Sequence, residues 1–174
     1  MRRRLLWTLA LVPATLTAAN AQAEAPRVAD SGGITIERAW AGATPGRART
    51  GAVYMTVTDH GAPDRIVGVS TPVAETAGIY QSSNEDGVMR MRPVDSLPIA
   101  PGTPIALAPG GYHIMLTGLK HPLGQGETFP VKLTFGHAAP VTATVTVERA
   151  GALVPTDHGA MRGHGMGMDG QTER

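Results

Sequence analysis

The segments TFPVKLTF (residues 128–135) and VTATVTVE (residues 141–148) alternate apolar and polar residues almost without interruption. Between them lies Ala138-Ala139-Pro140, a combination typical of a turn. Successive side chains of a strand point to opposite faces, so this pattern predicts two strands that each bury one face.

Seven earlier segments have the same character. They are rich in Val, Ile, Thr and Tyr and are bounded by Gly and Pro. No long stretch shows the apolar period of an amphipathic helix. Many short strands at close spacing predict an all-β fold, either a sandwich or a barrel. The seven predicted strands cover residues 34–40, 51–59, 65–70, 77–82, 88–93, 104–107 and 112–116.

The beginning of the chain has the features of a secretory signal. A basic start (residues 2–4) precedes an apolar run (residues 5–19) that is too short, and too interrupted by proline, to be a stable membrane anchor. Small residues follow, and we predict cleavage after Ala21 or Ala23; an uncleaved anchor is the alternative. No cysteine follows the apolar run, so a lipid-anchored form is not expected.

The composition limits the partners of the mature chain. The full sequence has 15 Lys and Arg and 14 Asp and Glu. Removal of residues 1–23 takes away three arginines and no acid, which leaves 12 basic and 14 acidic residues and a net charge of −2. No basic run and no interleaving of aromatic with basic residues remains, so nucleic acid is not an expected partner.

The mature length, about 150 residues, is that of one domain with a real core. We predict a signal peptide at residues 1–23, an N-terminal leader at 24–33, a β-sandwich domain at 34–150 and a flexible tail at 151–174. The tail is predicted because the apolar alternation stops at Gly151 and glycine dominates from there onward.

This tail is rich in His and Met, which in a Gly-rich segment have no core to fill. Imidazole and thioether without any thiolate form a ligand set suited to copper, particularly Cu(I). The sequence contains no cysteine at all. We therefore predict that the tail binds metal, the alternative being a solvated extension. Its candidate ligands are His158, Met161, His164, Met166 and Met168.

The same residue types recur in the body of the chain. Met89 and Met91 share one face of their predicted strand, and His113 and Met115 share one face of theirs. The two pairs can converge if these strands approach each other at one end of the sandwich. Taken alone, each methionine is more commonly core filler than ligand.

The connection between the fourth and fifth predicted strands decides which residues lie opposite each other. A four-residue loop at residues 84–87 places Tyr80 opposite Met91 and Ser82 opposite Met89. A tighter turn at Asp86-Gly87 shifts that register, so the sequence leaves the pairing open.

The spacing of these residues resembles that of the periplasmic copper chaperones of the PCu(A)C family. Their signature is His, ten residues, Met, twenty-one residues and then His-x-Met. Here Met91 is followed by twenty-one residues and then by His113-Ile114-Met115. The surrounding residues 86–94 and 109–116 are similar as well, and the likeness spans about Ile34 to Val147.

The resemblance implies a cupredoxin-like β-sandwich that carries Cu(I) in the periplasm on Met91, His113 and Met115. It also implies delivery of copper to the centres of cytochrome c oxidase, either directly to a subunit or through another periplasmic copper chaperone. No catalysis is required for such transfer, and no residue spacing argues for hydrolysis, so the chain is not expected to be an enzyme. No stable membrane anchor is expected after signal cleavage.

One position departs from the signature. Where it has its first His, separated from Met91 by ten residues, this chain has Tyr80, whose neutral phenol is a poor Cu(I) ligand. The body then offers three donors, with Met89 and Tyr80 as site neighbours. Either the site has an open side or the tail supplies the missing imidazole from His158 or His164.

Two other functions are compatible with parts of the pattern. The protein could buffer copper for tolerance, with the tail as the store. It could be a secreted β-sandwich interaction module with a degenerate copper site, for which Tyr80 is the best support. A redox enzyme or a blue-copper electron carrier is disfavoured, because the latter needs a thiolate ligand and the chain has no cysteine.

Overall fold

The computed structural model describes residues 33–152 and, by their backbone, residues 29–31. The predicted signal peptide, most of the predicted leader and the tail from residue 153 lie outside these residues. Within them, no helix is long and apolar enough to cross a membrane. The strands are β1 (Ala29–Ser31), β2 (Ile34–Gly42), β3 (Thr50–Asp59), β4 (Asp64–Ser70), β5 (Ala74–Glu85), β6 (Val88–Val94), β7 (Leu97–Ile99), β8 (Ile105–Leu107), β9 (Tyr112–Leu119), β10 (Thr128–Phe135) and β11 (Val141–Glu148).

The strands form one hydrogen-bonded path in the order β6-β5-β9-β3-β2-β11-β10-β4-β7, with β1 on β2 and β8 on β3. All of these pairings are antiparallel except that of β11 with β2. The two ends of this path contribute to one core, since Ile79 of β5 and Ile66 of β4 belong to the same cluster of buried residues. The path therefore folds over on itself as a β-sandwich, and the predicted all-β fold is confirmed.

Alternate residues of the strands fill a single core between the two halves. Burying a Val, Leu or Ile side chain of this kind stabilises the fold by about 1.5–3 kcal/mol each. The two segments that alternate most clearly in the sequence, β10 and β11, pair along their length and send every second residue inward. The most completely buried side chains include Val53, Val57, Ile66, Ile114, Leu116, Val131, Leu133 and Val145.

All nine predicted strands are present, and most of them extend a few residues further than predicted. Two short strands, β1 and β7, were not predicted. β1 lies in the segment assigned to the leader, where Ala29–Ser31 pairs with β2. Ala29–Ser31 contains no residue with a strong strand preference, and Leu97–Ile99 has a proline at its centre, so neither segment carried a strand signal.

A β-bulge in β2 changes which face of the sheet its second half presents. The register with β3 shifts between Glu37 and Trp40, and Arg38 has a φ of 51°. One extra residue in a strand reverses the faces of all residues that follow. Ile34 and Ile36 therefore point into the core, whereas Trp40 lies outside the main core cluster and stacks on Tyr54.

Candidate functional site

The outer face of the sheet carries a row of rings across β5, β9, β3 and β2. Tyr80 is the direct neighbour of His113, with ring centroids 6.4 Å apart. On its other side His113 lies 6.4 Å from the ring of Tyr54, which in turn lies 4.6 Å from that of Trp40. Two tyrosine rings thus flank a histidine that stands on the face opposite the core, and only 4% of its surface is exposed.

The turn before β9 fixes the orientation of this imidazole. Pro109 and Gly110, with φ 82° at the glycine, form a type II turn closed by a 3.1 Å hydrogen bond from Gly111 N–H to the carbonyl of residue 108. The Gly111 carbonyl accepts a hydrogen bond from His113 Nδ1 at 3.2 Å and another from the Ser82 amide at 3.0 Å.

A carbonyl oxygen can only accept, so Nδ1 of His113 carries the proton and Nε2 keeps a free lone pair. Metal-ligating histidines commonly engage their second nitrogen in this way, because it fixes both the tautomer and the ring orientation. The Gly111 carbonyl therefore orients the His113 ring, and in the neutral ring Nε2 is the nitrogen left to act as a donor.

The β5–β6 hairpin brings the methionines to the same face. Its turn has two residues, Asp86 with φ 53° and Gly87 with φ 80°, as a type I′ turn requires. The Asn84 side chain accepts a 2.9 Å hydrogen bond from the Gly87 amide. Since both central residues have positive φ, the tight turn matches the twist of the strands.

This turn sets a register that differs from the four-residue loop considered from the sequence. Ser82 lies opposite Met91, and Tyr80 lies opposite Pro93. Of the two alternatives that the sequence left open, the tight turn at Asp86 and Gly87 is the one that forms, and Tyr80 does not pair with Met91.

A surface cavity of about 390 Å³ lies where these elements meet. It contains all four sulfur- and nitrogen-bearing side chains that the sequence singled out in the body. Two of them are highly exposed, Met89 at 57% and Met91 at 54%, whereas Met115 is partly buried. The cavity is lined by Thr50, Gly51, Ala52, Tyr54, Ser82, Met89, Met91, Pro109, Gly110, His113 and Met115.

The cavity lies on the outer face of the sheet, next to the turn at Pro109 and Gly110 that precedes β9. His113 and Met115 project from β9 on the face opposite Ile114 and Leu116, which are fully buried in the core. The site can form here because β6 is at the edge of the path and its methionines lean over β5 toward β9.

Tyr80 stands next to the site without lining it. Its ring leans over Gly78, where an added β-carbon would lie 3.4 Å from a ring carbon. Tyr54, by contrast, lines the cavity and was not singled out from the sequence. Burial raises the pKa of Tyr54, so its phenol stays neutral and forms a wall rather than an anionic ligand.

The donor set of the cavity is neutral and mostly soft. No carboxylate lines it, and residues 33–152 contain no cluster of three or more His, Cys, Asp or Glu suited to a metal. Arg90 and Arg92 alternate with the methionines and form ion pairs with Glu85 at 2.9 and 3.4 Å. Two or three thioethers with one imidazole suit Cu(I) far better than a hard cation.

The remaining histidines of the body do not join this cluster. His60 and His121 are exposed, and His137 contacts Asp64. The tail candidates His158, Met161, His164, Met166 and Met168 lie outside the described residues.

Comparisons with known proteins agree with this architecture. The model of the family described as "Putative lipoprotein LpqE-like" matches residues 34–147. A relative from Leifsonia xyli subsp. xyli (strain CTCB07), named "Putative lipoprotein Lxx21020", is 34% identical over 117 residues, which are 65% of this chain and 69% of the relative.

Solved structures with the same fold include PCuAC domains. The apo PCuAC domain of PmoF2 superposes with a TM-score of 0.62 at 25% identity, covering 74% of this chain and all of that domain. The solution structure of Cu(I)-DR1885 from Deinococcus radiodurans has a TM-score of 0.53 at 31% identity and covers 75% of this chain and 83% of that one. The copper-bound PCuAC domain of PmoF2, at 24% identity and a TM-score of 0.60, shares the fold.

Proposed function

The chain belongs to the LpqE-like family, and we propose that it is an exported copper-binding protein of the PCu(A)C type, a metallochaperone that carries Cu(I). In this proposal Met91, His113 and Met115 bind the ion. Its function is transport of the metal, not catalysis.

One observation carries the proposal. Thioethers from two different strands, β6 and β9, line one cavity with an imidazole whose Nδ1 proton is held by the Gly111 carbonyl. Simple core packing does not account for this arrangement, since Met91 is 54% exposed and His113 lies on the face away from the core. The Cu(I)-DR1885 structure, at 31% identity, adds support from a relative that is named for its copper.

The exposure of the donors supports transfer. Met91 lies on the edge strand β6, so a ligand of an acceptor can approach the ion while Met115 and His113 still hold it. Copper would then pass by exchange of Met and His ligands. We propose a copper centre of cytochrome c oxidase, or another periplasmic copper chaperone, as the acceptor.

The location in this proposal is the periplasm, reached by a signal that is cleaved within the first 23 residues. The family and the Leifsonia xyli relative are both described as "Putative lipoprotein", whereas this sequence has no cysteine to carry a lipid. Cell fractionation together with N-terminal sequencing of the mature protein tests this point.

The test of copper binding is a Cu(I) titration of the mature chain against a colorimetric chelator. The tail donors are first replaced, with Ala for His and Leu for Met, so that only the body site remains. This protein is expected to bind one Cu(I). His113→Ala and Met115→Leu are expected to abolish that binding, whereas the exposed His121→Ala serves as the matched control and leaves it unchanged.

A circular dichroism melt of each variant separates loss of metal from loss of fold. Unchanged Cu(I) affinity in the His113 and Met115 variants would refute the assignment. If the parent protein binds no Cu(I), an interaction module with a degenerate copper site is favoured instead. Tyr80, which stands where the family signature has a histidine, supports that alternative.

A further inference from the structure

The cavity holds one sulfur donor beyond the three residues assigned above. Met89 lies two residues from Met91 on β6, and both side chains line the cavity. Residues i and i+2 of a strand lie on one face, about 7 Å apart along it, and methionine has three flexible torsions that can bring two sulfurs to one ion.

Met89 has no packing role that would explain its identity. It is 57% exposed and lies outside the core cluster, and it faces Asn84 across the hairpin. An apolar side chain at an exposed edge position generally lowers solubility. Its place at the rim of a cavity that already contains two thioethers and an imidazole gives it a chemical role.

Tyr80 leaves a vacancy that Met89 is placed to fill. The Tyr80 ring leans over Gly78 and does not line the cavity, so its phenol does not reach the other donors. On the opposite wall, Thr50 and Tyr54 offer only neutral hydroxyls, which are poor ligands for a soft monovalent cation.

We propose that Met89 is the fourth Cu(I) donor of this chain and completes a site of three thioethers and one imidazole with Met91, His113 and Met115. The proposal rests on the copper-binding function above. Since Met89 and Met91 are the two most exposed donors, they form the side of the site that opens toward an acceptor, whereas His113 and Met115 form the side that retains the ion.

The experiment compares Met89→Leu with the parent in the full mature chain whose five tail donors have been replaced. Leucine keeps the volume and removes the sulfur. X-ray absorption of the Cu(I) form is expected to show three sulfur neighbours in the parent and two in the variant. Removing a residue that only hydrogen-bonds to a metal ligand typically lowers metal affinity by ~10–100-fold. Because Met89 is proposed as a ligand itself, its replacement is expected to weaken Cu(I) binding at least about tenfold.

Met55→Leu is the matched control, since it removes a buried thioether of the core that lies outside the cavity. It is expected to change neither the sulfur count nor the affinity. If Met89→Leu leaves both unchanged while Met115→Leu lowers them, Met89 is not a ligand and the copper site stands without it. If the parent binds no Cu(I), the proposed copper-binding function itself is refuted. The experiment therefore distinguishes a wrong assignment of Met89 from a wrong function.

Discussion

In the proposed copper site, the orientation of the His113 ring is fixed by its neighbours before a metal binds. Tyr80 and Tyr54 flank its ring at 6.4 Å, and the Gly111 carbonyl accepts its Nδ1 proton. Centroid separations of this size are within the range of aromatic pairs. Because few rotamers remain open to the ring, binding through Nε2 costs little ordering of the side chain.

Replacing Tyr80 tests whether the proposed copper site can take a second imidazole donor. It stands directly opposite His113, one strand spacing away. The shorter histidine need not lean over Gly78 as the Tyr80 ring does, so Tyr80→His can offer an imidazole to the ion in place of the exposed Met89, and Cu(I) affinity is expected to rise. Tyr80→Phe, which removes only the hydroxyl, is the control and should leave the affinity unchanged in the same chelator competition. No gain with His would show that position 80 does not face the metal.

At the scale of the element, the β5–β6 hairpin determines which methionines meet the imidazole. Gly87 has a φ of 80°, which a β-branched residue adopts only with strain of about 1–2 kcal/mol. Gly87→Val is expected to lower stability by about that amount and to weaken Cu(I) binding, because a changed turn shifts Met91 away from Ser82.

Gly42→Ala is the control for this glycine, since a β-carbon there meets nothing within 4 Å and the backbone is in an ordinary conformation. Urea unfolding and Cu(I) titration of both variants provide the measurements. A Gly87→Val protein with parental copper affinity would show that the metal site does not depend on the type I′ turn.

The same hairpin marks the limit of what the sequence could predict. Alternation located the strands, because burial of one face requires it, and the spacing from Met91 to His113 pointed to residues that line one cavity. Alternation does not reveal how many residues a turn uses, so the pairing of Tyr80 remained open. The bulge at Arg38, which turns Trp40 outward, depends on one positive φ that has no sequence signature.

Asp64 at the start of β4 holds the loop after β10 in place. Its buried carboxylate accepts hydrogen bonds from the amides of Arg65, His137 and Ala138 at 2.8–3.1 Å. Burial alone would raise the pKa of this carboxyl. These hydrogen bonds, together with one that the carboxylate accepts from the His137 ring, lower the pKa to about 2.

The lowered pKa predicts how stability depends on pH. A carboxyl whose pKa is lower when folded stabilises the protein fully above its unfolded value of 3.8, and this contribution is lost as pH falls toward about 2. Asp64→Asn is expected to be less stable than the parent at neutral pH and to lose less stability over that acid range. Urea midpoints measured from pH 7 to about 2 test this, with the exposed Asp95→Asn as control. Parallel pH profiles in the parent and Asp64→Asn would contradict it.

At the scale of the whole molecule, the topology relates the cavity to the end of the domain. Val147, Ala41, Val53 and Ile114 form one row across β11, β2, β3 and β9. Neighbouring strands are about 4.8 Å apart, so the end of β11 lies about 14 Å along the sheet from the strand that carries His113 and Met115. The chain that follows residue 152 therefore begins within reach of the cavity, since six extended residues span about 20 Å.

This placement supports a role for the tail in holding additional copper close to the body site. His158 and His164 are imidazole donors, which bind Cu(II) as well as Cu(I), and Met161, Met166 and Met168 add thioethers for Cu(I).

We expect the tail to capture Cu(II) separately from the body site. Truncation after Ala152 should then lower Cu(II) stoichiometry and slow copper transfer to an acceptor, with the Cu(I) affinity of the body unchanged. The matched control is the full-length chain with its five tail donors replaced, which keeps the length of the tail and removes only its ligands. It should behave like the truncated chain. Calorimetric titration with each oxidation state and a stopped-flow transfer assay supply the measurements. Equal stoichiometry, affinity and transfer rate with and without these residues would mean that the tail is a solvated extension and that the body site alone handles the copper.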